Sequence, residues 1–327
     1  ILLLLAIFIF SIATVNAGDM NDTTSEGIMQ MKPVTLKTTE NEIITDNPNT
    51  FSQLDKDINA SHDTFEMKCD YTFSNETDSG PVVINKSDFT INGNNHVLDA
   101  NMQSGIFKIT GSNITINNLV FINGNINRGG AIYATGNITL NNVTFIGNNA
   151  SYGGAIFSTD QMTLDNAVFI NNTASWGGAI AYVNKLNCNN SRFIDNYGER
   201  GSSIYLDKAT LNVCNSSVTS YKSGKYGQIY ATHSSVSIDD SDFINITSAY
   251  ASALYFAYCE SSITNSRFIN LTAEKSAGAI AIRETGNSYI KGCKFINTKS
   301  IKNAGAILVD YGMENYNAVV SDCVFEN

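Results

Sequence analysis

Residues 137–158 read NITLNNVTFIGNNASYGGAIFS, and the residues on either side say nearly the same thing again. Apolar and polar residues alternate in Ile138-Thr139-Leu140, Phe145 follows after a short Asn-containing turn, and Gly153-Gly154 leads into Ala155-Ile156. Working outward, Phe recurs at Phe121, Phe145, Phe169 and Phe193, a spacing of 24, and the column continues as Val218, Phe243, Phe268, Phe295 and Phe325. Five residues before each of these stand Ile116, Leu140, Leu164, Cys188, Val213, Ile238, Ile263, Ile290 and Val320. Three residues before stand mostly amides: Asn118, Asn142, Asn166, Asn190, Asn215, Asp240 and Asn265. A third column holds Ile132, Ile156, Ile180, Ile204, Ile229, Leu254, Ile280 and Ile307.

A fixed period of this length means stacked units, and apolar runs of three to five residues alternating at two exclude helical repeats. Three short strands per period, joined by Asn- and Gly-rich turns, describe one coil of a parallel β-helix of about 24–30 residues per coil. The Phe, Leu/Ile and Ile columns become interior ladders, and the Asn column a turn ladder of amides. Nine to ten coils at about 4.8 Å each make a rod roughly 45 Å long. Gly129-Gly130, Gly153-Gly154 and Gly177-Gly178 mark corners needing positive φ or close backbone approach. Ala251-Ser252 and its neighbours lack the pair, so those corners must be built differently.

The 327-residue chain carries 20 Lys+Arg against 30 Asp+Glu, a net charge of −10, which argues against nucleic acid or an anionic membrane surface as partner. Residues 1–17, ILLLLAIFIFSIATVNA, read as a secretory signal that lacks its basic start. A membrane span is the competing reading, although the apolar run falls short of the roughly 20 residues a crossing needs. With Asp322 to Asn327 stopping inside a repeat, the expectation is a chain cut at both ends. Membrane association then enters only through export or a missing anchor. Residues 18–49 read as a flexible lead-in, 50–81 as an N-terminal cap and 82–327 as β-helix repeats. Thr50-Phe51-Ser52-Gln53 has the form of a capping box, with Phe51, Leu54 and Ile58 following at helical spacing.

The motif GGAI at 129–132, 153–156 and 177–180, and FI-x-N at 121–123, 169–171, 243–245, 268–270 and 295–297, resemble the repeats of chlamydial polymorphic outer-membrane proteins. INKSDFTINGNNHVLDA followed by IFKITGSNITINNLVFINGN is similar to the adhesin-like surface proteins of methanogenic archaea. The resemblance spans residues 81–327 and implies a right-handed, pectin-lyase-like solenoid displayed at the cell surface.

Enzymes on that scaffold cleave acidic polysaccharides with clustered carboxylates and a basic residue on one outer face. Beside the interior Ile column, Ala131/Tyr133, Ala155/Phe157, Ala179/Ala181, Ser203/Tyr205, Gln228/Tyr230 and Ala253/Tyr255 are expected outside, with no carboxylate pair, Arg or Lys among them. Asp239, Asp240 and Asp242 cluster where other coils have Asn, which reads as a solvated turn before a calcium or acid–base site. His62, His96 and His233 are far apart in coil register, and neither a metal-ligand spacing nor a cofactor motif is present. Tyr133, Phe157, Tyr205, Tyr230 and Tyr255 form an aromatic column, broken by Ala181 with Tyr182 beside it. It is either a binding stripe for sugar rings or protein, or ordinary β-surface tyrosine. Cys188 reads as a small core hydrophobe, while Cys293 and Cys323, one coil apart, form either a disulfide or a stack of thiols. Of many Asn-x-Ser/Thr sequons, Asn149 sits at a loop position suited to modification. The reading is a non-catalytic, exported adhesin-like rod engaging glycans or proteins of other cells, with a polysaccharide lyase or glycoside hydrolase as the alternative.

Overall fold

The computed structural model describes residues 49–327 apart from 222–223, 285 and 311–316, so the signal at 1–17 and the lead-in up to residue 48 lie outside the described residues. Within them the chain winds through three long parallel sheets, of 11, 12 and 10 strands. Along each main ladder, a strand pairs with its equivalents one coil away. One coil, for example, passes through Ile138–Asn141, Thr144–Ile146 and Ile156–Ser158. Parallel pairing in register puts like residues on like, so the periodic columns become ladders.

The Phe column runs Leu98, Phe121, Phe145, Phe169, Phe193, Val218, Phe243, Phe268, Phe295, Phe325 without a slip. Rings of Phe121, Phe145, Phe169 and Phe193 lie flat on one another at 4.7, 4.9 and 4.9 Å. The column from Ile116 to Val320 and the column from Ile132 to Ile307 are equally continuous. Cys188 is fully buried in the former, and burial pushes its thiol up to about 11.

Corners and turns have distinct causes. Asn118, Asn142, Asn166, Asn190, Asn215, Asp240 and Asn265 all adopt left-handed φ between 46° and 53°, a conformation in which Asn and Asp are the least strained non-glycine residues. Their amide ladder is only partial: Asn142 donates to Asn118, Asn166 to Asn142 and Asn215 to Asn190, but Asn190 turns to Asp165 and Asn265 to Asp239. In the glycine pairs each member does a different job. Gly153 has φ +62°, whereas a Cβ on Gly154 would lie 2.0 Å from the Gly178 carbonyl oxygen. Ala251 and Ala277, which replace the first glycine of the pair in later coils, are not in the left-handed region.

A second amide ladder was not legible in the repeat. Asn148, Asn172 and Asn196 are buried, and Asn148 Nδ2 donates to Asn172 Oδ1 (2.9 Å) and to the Phe121 carbonyl (3.2 Å). Asn172 repeats both bonds one coil on, to Asn196 and Phe145. Burial of an amide is tolerated because these donors and acceptors find partners in the neighbouring coils.

The helix Phe51–Ala60 packs Phe51, Leu54 and Ile58 inward, with Phe51 edge-on to Phe73 at 5.5 Å. Thr50 caps it by accepting from the Gln53 N–H, but the reciprocal arm of a capping box is absent, because the Gln53 side chain donates to Asp57 instead. Asp78 instead satisfies the first helical N–H groups, accepting from those of Phe51 (3.1 Å) and Ser52 (2.7 Å). At the other end Lys86 Nζ donates to the carbonyls of Ile58, Asn59 and Ser61, where the helix dipole favours a cation. The strands Thr64–Glu66 and Tyr71–Thr72 already pair into the first two sheets, so the ladders begin within residues 50–81. No helix among the described residues is long and apolar enough to cross a membrane.

Phe169 is fully buried with a ring above and below. Phe169→Ala should therefore cost about 3–5 kcal/mol in reversible denaturation; a loss below about 1 kcal/mol would mean that the ladder contributes little. Burial opposes ionisation of Asp78, but the donors from Ser74, Ser52 and Phe51 outweigh it and hold its carboxyl below the usual value. A depressed carboxylate stabilises above its unfolded value of about 3.9 and loses that contribution as pH falls through the folded one. Acid should therefore loosen the helix, read by amide exchange at Phe51 and Ser52, and Asp78→Ala should abolish that pH dependence.

Candidate binding surface

The aromatic column lies in the third sheet, where Tyr133, Phe157, Ala181, Tyr205, Tyr230 and Tyr255 are successive Cα partners. Ala181 leaves a gap in the side chains, which Tyr182 fills. With φ +65° its ring lies 5.3 Å from Phe157 and 5.2 Å from Tyr205. On either side, Tyr133 stacks on Phe157 at 5.5 Å, Tyr205 on Tyr230 at 5.5 Å and Tyr230 on Tyr255 at 5.1 Å. Left-handed φ costs a tyrosine about 1–2 kcal/mol, which ring contacts on both sides help to offset.

A second column stands beside the first and is absent from the expectations above. Arg128, Tyr152, Trp176, Arg200 and Tyr226 are bridged partners in consecutive coils. Each immediately precedes a corner glycine, a recurrence that could have been found in the sequence. Part of this column forms a short extra pair of strands, Thr173–Trp176 and Tyr197–Arg200. Tyr152 meets Tyr182 edge-on at 5.7 Å, Trp176 lies 4.9 Å from Tyr205, and Tyr226 meets Tyr255 edge-on at 5.2 Å. Tyr250 stacks on Tyr226 at 4.6 Å.

Basic residues thread this wall, correcting the expectation that the face carries none. Arg128 lies over Phe157 at 5.3 Å, Arg200 over Trp176 at 5.0 Å and over both Tyr226 and Tyr230 at 5.9 Å, and Arg283 over Tyr255 at 5.9 Å. The expectation looked only at the strand, whereas Arg128 and Arg200 come from the segment before the corner. Two further expectations change. Ala131, Ala155, Ala179 and Ala253 belong to the core, because the strands start at the following Ile or Leu and alternation does not extend into the corner. Phe157 and Tyr205 are only 6% and 4% exposed, so they back the wall, while Tyr133, Tyr230, Tyr255, Trp176, Tyr226 and Tyr250 keep partly open faces or edges.

The remaining candidates do not join this surface. Asp242 makes a two-pronged ion pair with Arg267 at 2.6 and 2.5 Å, and Asp239 accepts from Thr264 and Asn265. His62, His96 and His233 each approach a different aspartate: Asp63, Asp70 and Asp207. No group of three or more His, Cys, Asp or Glu able to hold a metal occurs among the described residues. Cys293 and Cys323 are free thiols in equivalent positions of adjacent coils, and burial pushes Cys293 up to about 11. They continue a ladder in which Ser191, Ser216, Ser241 and Ser266 each donate to the carbonyl two residues back, as the two thiols do. The Asn149 amide donates to Asn125, so modifying it would break a ladder bond.

Burial raises the phenol pKa of Tyr205, and of Tyr182, Tyr230 and Tyr255 with it. A raised folded value means that stability is fully present below the unfolded value of about 10 and is lost as pH rises through the folded one. An absorbance titration should show these phenols ionising after the exposed ones and together with unfolding; ionisation of every tyrosine near pH 10 in a folded rod would contradict the packing.

No protein-family model matches the chain, and no curated protein sequence matches it. Among solved structures, PfbA, a surface adhesin of Streptococcus pneumoniae, is similar at TM-score 0.51 and 14% identity, over 82% of this chain and 80% of that one. The SRRP of L. reuteri 53608 follows at TM-score 0.37 and 14% identity, covering 85% and 99%. An endo-xylogalacturonan hydrolase from Aspergillus tubingensis follows at 0.38 and 11%, covering 84% and 87%. The likeness to PfbA is one of fold: this chain is a parallel β-solenoid.

Proposed function

We propose that this chain is a non-catalytic, adhesin-like rod of the cell surface that holds glycans or proteins of other cells against its aromatic wall. The observation that carries the reading is the continuous packing of Tyr133, Phe157, Tyr182, Tyr205, Tyr230 and Tyr255, flanked by Trp176, Tyr226 and Tyr250 and threaded by arginines. Rings held by their neighbours lose little conformational freedom when a partner arrives, and their partly open faces and edges offer wide contact. Guanidinium groups lying on those rings add donors for hydroxyl, carboxylate or carbonyl oxygens. The apolar run at residues 1–17, read as an export signal, supports the same reading, as does the shared fold with a protein described as a surface adhesin.

Replacing Trp176, Tyr226 and Tyr250 together by Ser should lower binding to target cells or immobilised glycans at least tenfold while circular dichroism stays that of the rod. Replacing Asp239, Asp240 and Asp242 by Asn should leave binding unchanged. If the rod instead shortens a polysaccharide and the aspartate variant alone loses that activity, the chain is an enzyme and this reading fails.

A further inference from the structure

The ring stack ends at Tyr133. One face of that ring is covered by Phe157, nearly parallel at 7°, and Tyr133 stacks with no other ring among the described residues. One coil further toward the amino terminus its strand partner is Lys108 in place of an aromatic residue. Here the surface opens into a cleft of about 370 Å³ lined by Phe107, Lys108, Ile126, Arg128 and Tyr133 among others. That volume is at the small end of ligand sites, which run from about 300 to 1,000 Å³.

Two exposed cations stand at this cleft. Lys108 and Arg128 are exposed and have no carboxylate partner among the described residues, in a chain of net charge −10. No Asp or Glu among the described residues lines the cleft. Arg128 is steadied by its position 5.3 Å over the Phe157 ring, which leaves its donors available.

We propose that this cleft is a binding site for an acidic sugar residue of a glycan. The apolar C–H face of the sugar extends the stack on Tyr133, its carboxylate sits between Lys108 and Arg128, and its hydroxyls face water at the open side. A neutral sugar would leave both cations without a counter-charge, and a purely apolar ligand would desolvate them without return. With no carboxylate in its lining, the cleft offers no such group to protonate or attack a glycosidic bond. The inference rests on reading the wall as a glycan-binding surface, and narrows it to acidic glycans at one end.

The test titrates the full chain with trigalacturonate, with 3′-sialyllactose and with neutral galactotriose, following tyrosine fluorescence and calorimetry. At least one acidic trisaccharide should bind saturably at one site. Its affinity should fall at least tenfold in the Lys108→Gln/Arg128→Gln variant and also in Tyr133→Ser, weaken with added salt, and survive in Lys108→Arg. Equal binding of galactotriose, unchanged binding in the double variant, or tighter binding of p-hydroxybenzoate than of either acidic sugar would overturn the proposal. Cell binding is measured on the same variants. If neither acidic sugar binds while the Trp176, Tyr226 and Tyr250 variant still loses adhesion, the cleft proposal alone fails. If that variant keeps adhesion, the reading of the wall fails with it.

Discussion

Everything in this rod depends on parallel backbone pairing between coils that are out of step in sequence by one period. Because the hydrogen bonds join equivalent residues, each side chain meets its own kind above and below. The chemistry of a position is therefore repeated along the axis. Where that chemistry is apolar the result is the Phe ladder, with rings 4.7–5.1 Å apart in its stacked interior runs. Where it is polar, the ladder must satisfy itself. Asn148, Asn172 and Asn196 do so with amides that bond both along the axis and to the adjacent Phe carbonyls. The serine ladder does so by turning each hydroxyl back to its own strand and accepting the preceding coil's N–H. Cys293 and Cys323 occupy that ladder, which gives these cysteines a structural role as serine substitutes.

The same constraint builds the aromatic wall, and also limits it. Stacking by register alone would leave a hole at Ala181, where two aromatic runs would be separated. The short strand Ile180–Ala181 and the left-handed Tyr182 that follows it close the hole with a ring from outside the register. Arg200 stands in the second column between Trp176 and Tyr226 and lies over both. An interruption of one column is thus filled by chemistry that suits its neighbours, and the surface stays continuous. In the proposed adhesive role such continuity would be useful, since a partner met by a rigid wall orders few side chains on binding.

A solenoid has an end problem that an ordinary domain does not. At the amino-terminal end the helix Phe51–Ala60 buries its apolar stripe on the first coils and is held by charges from outside itself, Asp78 at its start and Lys86 at its finish. Both sit where the helix dipole favours their sign. In the last coil described, Val320 and Phe325 are still in register but largely exposed, which is why the energetic content of the Phe ladder belongs to its middle.

The amino-acid sequence by itself determined the axial order of this molecule: three strands per coil, the Phe and aliphatic ladders, the Asn turns, the paired glycines and the inward face of the helix. It could do so because neighbours along the axis are one period apart in sequence, so that spacing in the chain is proximity in space. Only the tertiary structure decided what lies side by side around a coil. Tyr152, Trp176, Arg200 and Tyr226 reach the tyrosine column across a corner whose path depends on φ at the glycine and on crowding behind it. Burial of Asn148 but not Asn142, of Tyr205 but not Tyr230, and the choice of Asp78 over Gln53 as helix cap depend equally on that lateral geometry. A one-dimensional period records which residues stack; it holds no information about the angle at which the chain turns between them.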